Sequence, residues 1–201
     1  MKAKTKAFGL MMAAVLLVTA TIFGTMAYLT STDEVTNTFT VGSVTISLDE
    51  APVGTDGKEI AGNRVKANSY KLMPGHVYDK DPIVHFQPKS EASWLFIEVT
   101  NEIANIESKA NDYKSIAAQI TDNGWTALDG VTGVYYKSVP ANTSAVTVDY
   151  PVFQGFTVDG SSVTGTTLED YNGKTVKIVA YAVQAEGFAS ASDAWTTGLG
   201  R

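Results

Sequence analysis

Much of the chain alternates apolar and polar residues with a period of two, which is the spacing of β-strands. The alternation is strict from Val44 through Ile46 to Leu48, and it predicts a strand there. Residues 174–185 alternate over a longer run, and we expect them to form a central strand. Residues 94–99 are almost all bulky and apolar, so they predict a strand that is buried on both faces.

Weaker extended runs and turn residues fill most of the remaining chain. Met73-Pro74-Gly75-His76 predicts a turn, because proline fixes φ and glycine accepts positive φ. Pro82 lacks an N–H and therefore favours a strand start or a sheet edge. The polar residues 49–63 predict a surface loop. Further strands or hairpin pieces are expected over residues 65–72, 77–86, 125–128, 133–136 and 145–156.

One segment has helical spacing. In residues 101–122, apolar side chains recur mostly at steps of three or four, and Asn123-Gly124 supplies a stop signal. We expect a helix over this range, with a break near Asn111 as the alternative. Many short strands around one helical insertion predict a mostly β fold, a jelly-roll-like β-sandwich.

The first residues have the order of a secretory signal peptide. Three lysines among the first six residues precede an apolar run over residues 8–23, and small residues follow up to Ala27. We predict cleavage between Ala27 and Tyr28. The alternative is an uncleaved membrane anchor, for which a run of about 16 residues is short of the roughly 20 that a span needs. After cleavage we expect no stable membrane span.

The predicted organisation is a signal peptide over residues 1–27, an N-terminal segment over 28–43 and a β-sandwich domain over 44–201. Removing the signal leaves 174 of the 201 residues and, because it takes three lysines and no acidic residue, changes the formal charge from −6 to −9. An acidic chain argues against a protein that binds nucleic acid through phosphate contacts. The absence of cysteine excludes disulfides, a thiolate nucleophile and thiolate metal sites.

Catalytic chemistry has few candidates in this sequence. A triad or a zinc site would depend on His76 and His85, the only two histidines, and neither belongs to a His-Glu-x-x-His motif. We interpret His76 as a turn residue and His85 as an outward-facing strand residue, with a metal site as the alternative. Asp79 and Asp81 indicate charges at a sheet edge, with weak calcium binding as the alternative. We predict no catalytic residue, cofactor or metal.

The chain holds three tryptophans, Trp94, Trp125 and Trp195. They are far apart in the sequence, so we expect them in the core and not together on a binding platform. An exposed aromatic patch would instead favour a carbohydrate- or surface-binding module, since jelly rolls often bind glycans.

The segment after the predicted cleavage site combines strand-forming residues with polar flanks. Cleavage would free its N-terminus, and an open groove in a neighbouring copy could accept it as an added strand. Head-to-tail transfer of such a strand gives an open filament. The alternative is that the segment pairs within its own domain. The candidate donor-strand residues are Tyr28, Leu29, Val35, Phe39 and Val41.

Two stretches of the sequence resemble a known family of exported proteins. The first runs from Gly24-Thr25-Met26-Ala27-Tyr28-Leu29 to Asn37-Thr38-Phe39-Thr40-Val41-Gly42-Ser43-Val44, and the second joins Lys71-Leu72-Met73-Pro74-Gly75 to Lys80-Asp81-Pro82. Both are similar to the TasA/camelysin group of biofilm-matrix and cell-surface proteins, which a SipW-type signal peptidase processes. Val44 stands where the group usually has Leu, and His76 replaces its usual Asp. The likeness covers residues 24–48 and 70–90.

The resemblance implies a jelly-roll β-sandwich that is secreted to the extracellular matrix or the cell surface. It also implies fibres in which the freed N-terminal segment enters the next copy. The expected partners are therefore copies of this chain and, during export, a SipW-type signal peptidase. The camelysin branch has been described as metallo-endopeptidases. Because this chain lacks a zinc motif, we expect a structural subunit, with a camelysin-like secreted metallo-endopeptidase or a cell-surface binding module as the alternatives.

Overall fold

The computed structural model describes residues 5–6, 8–17, 42–108 and 113–201. The chain divides into two compact units, Met1–Thr40 and Val41–Arg201. In the first unit, residues 8–17 are helical and their side chains are exposed. No helix in the described ranges has both the length and the apolar character needed to cross a membrane. The predicted cleavage site at Ala27 and Tyr28 lies outside the described residues.

The second unit is built mainly from short strands. Its described strands are β1 Ile46–Asp49, β2 Val77–Asp79, β3 Ile83–Phe86, β4 Ser93–Asn101, β5 Thr126–Ala127, β6 Val134–Val139, β7 Val148–Pro151, β8 Gly155–Thr157 and β9 Val176–Gln184. Its described helices are α1 Ile116–Asp122, α2 Gly165–Glu169 and α3 Ala191–Asp193, with a 3₁₀ turn at Ala104–Ile106 and a π-helical turn at Ala194–Gly198.

All of these strands pair antiparallel, in three sheets. The strand orders are β1-β3-β7, β2-β8 and β5-β6-β4-β9. The prediction of a mostly β fold is therefore confirmed. Several antiparallel sheets with few helices are compatible with a β-sandwich, in which two sheets bury their inner faces against each other.

The strand predicted over residues 94–99 is present as β4. It pairs with β6 on one side and with β9 on the other. Leu95 and Ile97 belong to the main core, whereas Phe96 between them belongs to a second apolar cluster. Because alternate residues of a strand point to opposite faces, β4 carries apolar contacts on both. All three side chains are fully buried, which confirms the prediction for this strand.

Two alternating runs are confirmed as strands, with one correction. β1 begins at Ile46, two residues after the predicted start at Val44. β9 occupies most of residues 174–185, but its predicted central position is wrong, since the sheet order places β9 at an edge. Alternation reports which face of a strand packs on the core, and it carries no information about hydrogen-bonded neighbours.

Residues 65–72 form no strand, contrary to the prediction. Within this described segment only Val65 pairs, through backbone hydrogen bonds of 2.7 and 2.9 Å with Glu50. Further along, the Asn68 side chain bonds to the backbone of residues 51–53. These side-chain bonds take the place of strand pairing, which explains why a weak strand pattern fails here.

The extended segment predicted over residues 77–86 is two strands, β2 and β3, that belong to different sheets. Pro82 lies at the break and directly precedes β3, as its missing N–H predicted. The turn before β2 is also confirmed. Gly75 has a φ of 71°, and the His76 N–H donates to the Met73 carbonyl at 3.2 Å.

The single helix predicted over residues 101–122 is wrong in its first half. β4 continues to Asn101, and a 3₁₀ turn follows it. α1 begins only at Ile116, after Ser115, whose hydroxyl caps the first turn of the helix. The buried Glu107 carboxylate also accepts from the Ile116 N–H at 3.1 Å. The start of α1 is therefore fixed by hydrogen bonds that helical spacing does not report.

The predicted stop after this helix and the hairpins beyond it are confirmed. α1 ends before Asn123-Gly124, and Gly124 has a φ of 77°. The strands β5 to β8 follow in the regions predicted for hairpin pieces, although β6 continues to Val139, three residues beyond the predicted range, and β8 ends at Thr157, one residue beyond it. The alternative break near Asn111 lies outside the described residues.

Two apolar clusters stabilise the second unit. The main core includes Tyr78, Phe86, Leu95, Trp125, Phe153 and Phe156. The second cluster joins Phe96 of β4 to Trp195, which the C-terminal π-helical turn supplies. Burial of apolar surface is the dominant favourable term in folding, so these two clusters carry most of the stability of a chain without disulfides.

Candidate functional site

A groove of about 1200 Å³ opens at one side of the β unit. Its walls are residues 66–72, the end of β1, the start of β9 and the segment that contains α2. The apolar and aromatic residues that line it are Leu48, Tyr70, Leu72, Ile103, Phe156, Leu168, Tyr171, Val176 and Ile178. Tyr70 is partly buried in this wall. Burial, and to a smaller extent the nearby Glu50, raises the pKa of its hydroxyl above 10.0.

β9 brings an unpaired sheet edge to this groove. At the two ends of the β4–β9 pairing, Ala185 N–H donates to Ala92 O at 2.7 Å and Glu102 N–H donates to Thr175 O at 3.0 Å. Hydrogen bonding alternates along an antiparallel pair, so the backbone groups of the even-numbered residues within Val176–Gln184 point away from β4. No described strand pairs with them.

β1 contributes the facing edge. It pairs only with β3 among the described strands and is the outer member of its sheet. β1 and β9 lie next to each other without strand pairing between them. The groove is thus bounded by the edge of β9, which no described strand covers, and by β1, whose outer edge is partly occupied. The Lys66 Nζ donates to the Leu48 carbonyl, and Glu50 pairs with Val65. An open sheet edge such as that of β9 is the arrangement that accepts an added strand.

The groove carries more positive than negative side chains, although the chain as a whole is acidic. Its charged lining residues are Lys66, Lys71, Lys80, Lys174, Lys177, Asp49, Glu50 and Glu169. Two of the three carboxylates are already engaged, Glu50 with Lys80 and Asp49 with Arg64. Among the lysines, Lys80 pairs with Glu50 and Lys174 pairs with Glu102 at 3.5 Å. The other three, Lys66, Lys71 and Lys177, give the groove a local positive potential, which favours an acidic ligand or segment.

His85 faces outward from β3, as predicted, because its neighbours Val84 and Phe86 are buried in the core. The imidazole lies between two carboxylates. Its Nδ1 is 2.6 Å from Asp149 Oδ1, and its Nε2 is 2.8 Å from Asp49 Oδ1. An imidazole donates from both nitrogens only when it is protonated, so this arrangement favours the imidazolium form.

The pKa shifts follow from this geometry. Partial burial acts to lower the pKa of His85, but the hydrogen bonds and charges of Asp49 and Asp149 outweigh it and raise that pKa above 6.5. Burial acts to raise the pKa of Asp49, but His85 and Arg64 outweigh it and lower that pKa below 3.8. Arg64 also pairs with Asp81 at 2.8 Å. Asp149 of β7, His85 of β3 and Asp49 of β1 therefore form a row of alternating charges that ends at Arg64.

This arrangement predicts a pH-dependent stability. The folded pKa of His85 lies above the unfolded value, so its contribution is complete below about pH 6.5 and is lost as the pH rises through the folded pKa. We expect the free energy of unfolding to fall by about 1–2 kcal/mol across that range. Urea unfolding at several pH values, compared between the wild type and His85→Gln, measures it. An identical pH dependence in the two proteins would show that His85 does not contribute.

The remaining polar candidates have structural partners. His76 Nε2 lies 2.7 Å from the Asp56 carbonyl oxygen. Asp79 accepts from Lys58 and from the Glu59 N–H, while Asp81 accepts from Arg64. Both aspartates line a second cavity of about 340 Å³. Within the described ranges, no group of three or more His, Asp and Glu side chains is placed to hold a metal ion.

Two of the three tryptophans lie in the core, as predicted. Trp125 and Trp195 are buried, whereas Trp94 is only half-buried and lies edge-on to Tyr136 at 5.8 Å. Trp125 belongs to the main core and Trp195 to the second apolar cluster. The three tryptophans therefore do not form one exposed platform.

The predicted donor-strand residues Tyr28, Leu29, Val35, Phe39 and Val41 lie outside the described residues. What sequence reasoning missed is the groove and the edge position of β9. The pattern over residues 174–185 marked the strand, and the lysines near its start were visible, but the pairing order that leaves its edge open is a tertiary property.

Comparisons with known proteins identify no relative. No family model matches the chain, and no curated protein or solved structure matches it. The resemblance to the TasA/camelysin group therefore stays a prediction, and the groove geometry is the main structural observation that bears on function.

Proposed function

We propose that this protein is a secreted structural subunit of extracellular-matrix or cell-surface fibres. In this proposal the N-terminal segment of one copy, freed by cleavage between Ala27 and Tyr28 by a SipW-type signal peptidase, enters the groove of the next copy. The observation that carries the proposal is the groove that lies along the edge of β9, which no described strand covers. No catalytic activity is part of this function.

The donor segment has the pattern that such a groove requires. Phe39 and Val41 are two residues apart, so in a strand both side chains point to the same face. A strand added beside β9 would place that face against the core side of the groove. The added backbone would also bond the outward N–H and C=O groups of β9, which supplies affinity without a specific side-chain code.

The charges of donor and groove are opposite in sign. The segment over residues 28–41 contains Asp33 and Glu34 and no lysine or arginine. The groove lining holds five lysines, of which Lys80 is engaged in a buried pair with Glu50 and Lys174 in a pair with Glu102. Complementary charge speeds association and selects the correct register, so the segment and the groove suit each other in charge as well as in hydrogen bonding.

Strand exchange would produce a filament and would also complete the fold of each subunit. A strand donated by one copy and accepted by the next is a head-to-tail contact, which does not close on itself and propagates as a filament. In each subunit the donated strand would pair with the edge of β9 and complete a jelly-roll-like β-sandwich. The isolated subunit would keep an open groove or fill it with its own N-terminal segment.

Electron microscopy of the secreted protein tests this function. The full precursor is expressed in a Gram-positive host, the protein is purified from the medium, and its N-terminus is sequenced. We expect filaments from the wild type and none from a variant with Phe39→Asp and Val41→Asp, because burying two carboxylates in the groove is strongly unfavourable. The matched control is Thr38→Ser with Thr40→Ser, which alters the opposite strand face and should still give filaments.

The outcome that would contradict the proposal is equally direct. A wild-type protein that starts at Tyr28 and stays monomeric under all conditions tested would show that its N-terminal segment pairs within its own domain. Filaments of normal abundance from the Phe39→Asp, Val41→Asp variant would show that assembly uses another surface.

A further inference from the structure

A lysine and an asparagine share one buried carboxylate at the wall of the groove. Lys80 pairs with one oxygen of Glu50, and the Asn68 Nδ2 donates to the other oxygen at 3.0 Å. Lys80 is 8% exposed and Glu50 is 5% exposed. One carboxylate therefore holds an amine and a carboxamide side by side.

The carboxamide of Asn68 is oriented by two further hydrogen bonds. Its Oδ1 accepts from the Val53 N–H at 3.0 Å, and its Nδ2 also donates to the Ala51 carbonyl at 2.8 Å. A hydrogen bond to a carbonyl oxygen draws electrons from the carbon and stabilises negative charge on that oxygen if the carbon is attacked. The Val53 N–H is thus placed as an oxyanion donor for the Asn68 carbonyl.

The amine is in direct contact with the group that can accept its proton. The Lys80 Nζ pairs with the Glu50 carboxylate and lies 6.0 Å from the centre of the Tyr70 ring. Transfer of one proton from Nζ to this carboxylate leaves a neutral amine, which is the nucleophilic form.

We propose that Lys80 and Asn68 form an intramolecular isopeptide bond, with Glu50 as the catalytic residue. Glu50 takes a proton from the Lys80 ammonium, and the neutral Nζ attacks Asn68 Cγ. Negative charge develops on Oδ1, opposite the Val53 N–H. Glu50 then gives its proton to Nδ2 and the Cγ–Nδ2 bond breaks. The Nζ, which became positively charged in the attack, passes one proton to the departing ammonia as the Nζ–Cγ amide forms. Nitrogen leaves as ammonium, which carries the positive charge of the original lysine, and Glu50 ends as a carboxylate.

The product would fix one wall of the groove. Residues 66–72 form no strand, and an Asn68–Lys80 bond would tie this segment covalently to the end of β2. A cross-link of this kind restricts the unfolded chain in the way a disulfide does, and it needs neither cysteine nor an oxidant. The bond is independent of whether the groove accepts a donor strand.

Mass spectrometry of the purified wild-type protein tests the bond. Its formation removes one ammonia, so the mass falls by about 17 Da relative to the sequence. A bonded Lys80 also resists trypsin. We expect a digest in which residues 67–71 are joined to an uncleaved peptide over residues 72–89, in place of three separate peptides.

Three variants test the proposed roles of Glu50 and Lys80 in forming the bond. Glu50→Gln keeps the shape of the side chain and removes the proton acceptor, and Lys80→Arg keeps the positive charge and removes the nucleophilic amine, so both should show the full mass. Lys71→Arg changes a neighbouring groove lysine and should retain the mass loss. Wild-type protein that keeps its full mass after prolonged incubation, or that shows only deamidated Asn68 without a bridged peptide, overturns the proposal. The wild-type digest decides the question even where a variant does not fold.

Discussion

Replacing Ala180 by proline will abolish filament formation while the domain stays folded. Ala180 lies at the middle of β9, and its N–H points away from β4 toward the unpaired edge. Proline removes that N–H and places its ring where a donated strand would lie, but it leaves the pairing with β4 intact. We expect filaments seen by electron microscopy to be lost entirely, with thermal unfolding close to that of the wild type.

The control for this substitution is Ala180→Val. Valine is similar in size to proline and is favoured in strands. Because it keeps the backbone N–H, filaments should form. Circular dichroism of all three proteins separates a lost strand acceptor from a lost fold. Normal filaments from the folded Ala180→Pro protein would mean that the edge of β9 takes no part in assembly.

Of the substitutions proposed here, Trp125→Ala is expected to lower the free energy of unfolding the most. Trp125 is 1% exposed within the main core, and its Nε1 donates to the Pro151 carbonyl at 2.8 Å. The Lys137 Nζ lies over its ring at 5.6 Å. Deleting a buried aromatic side chain of this size leaves a cavity, so we expect the free energy of unfolding to fall by about 3–5 kcal/mol.

Urea unfolding monitored by circular dichroism measures this loss. Trp125→Phe retains most of the packing and removes only the N–H donor, so its loss should be about 1–3 kcal/mol. Equal unfolding midpoints for the alanine variant and the wild type would show that the main core does not depend on this residue. The comparison also tests how the β5–β6 hairpin is anchored to β7.

The strand pattern could be predicted largely from the sequence because it depends on local periodicity. β4, β9 and the turn at Pro74-Gly75 each have a signal that fixes local geometry, either bulky apolar residues, strict alternation, or the φ preferences of proline and glycine. Val84 and Phe86 likewise predicted the outward direction of His85. These features need no knowledge of which strands become neighbours.

The groove could not be predicted because it depends on pairing between distant segments. Whether β9 is central or at an edge depends on its pairing with β4, about 80 residues earlier in the chain, and on whether a second strand pairs on its other side, where no described strand does. The helix predicted over residues 101–122 failed for a similar reason, since Glu107 and Ser115 fix the start of α1 through hydrogen bonds. The Lys80–Glu50–Asn68 contact joins three loop positions with no shared motif.

The chain has no cysteine, so disulfides cannot stabilise it. If the protein is exported, as we propose, it relies without disulfides on packing and on backbone pairing for durability. The proposed strand exchange would add pairing between subunits, and the proposed Lys80–Asn68 bond would add a covalent tie within each subunit. The strand exchange and the covalent bond can be tested separately, because Glu50→Gln would prevent the bond and leave β9 unchanged.

Mixing two assembly-defective variants tests the strand-exchange claim most directly. The Phe39→Asp, Val41→Asp protein keeps its groove but has a defective donor, and the Ala180→Pro protein keeps its donor but has a defective groove. Each alone should be monomeric by light scattering, and an equimolar mixture should form a heterodimer that stops at two subunits, because one functional donor and one functional groove remain. A mixture that stays monomeric, although both proteins are folded and start at Tyr28, would contradict donation of the N-terminal segment into the groove at β9.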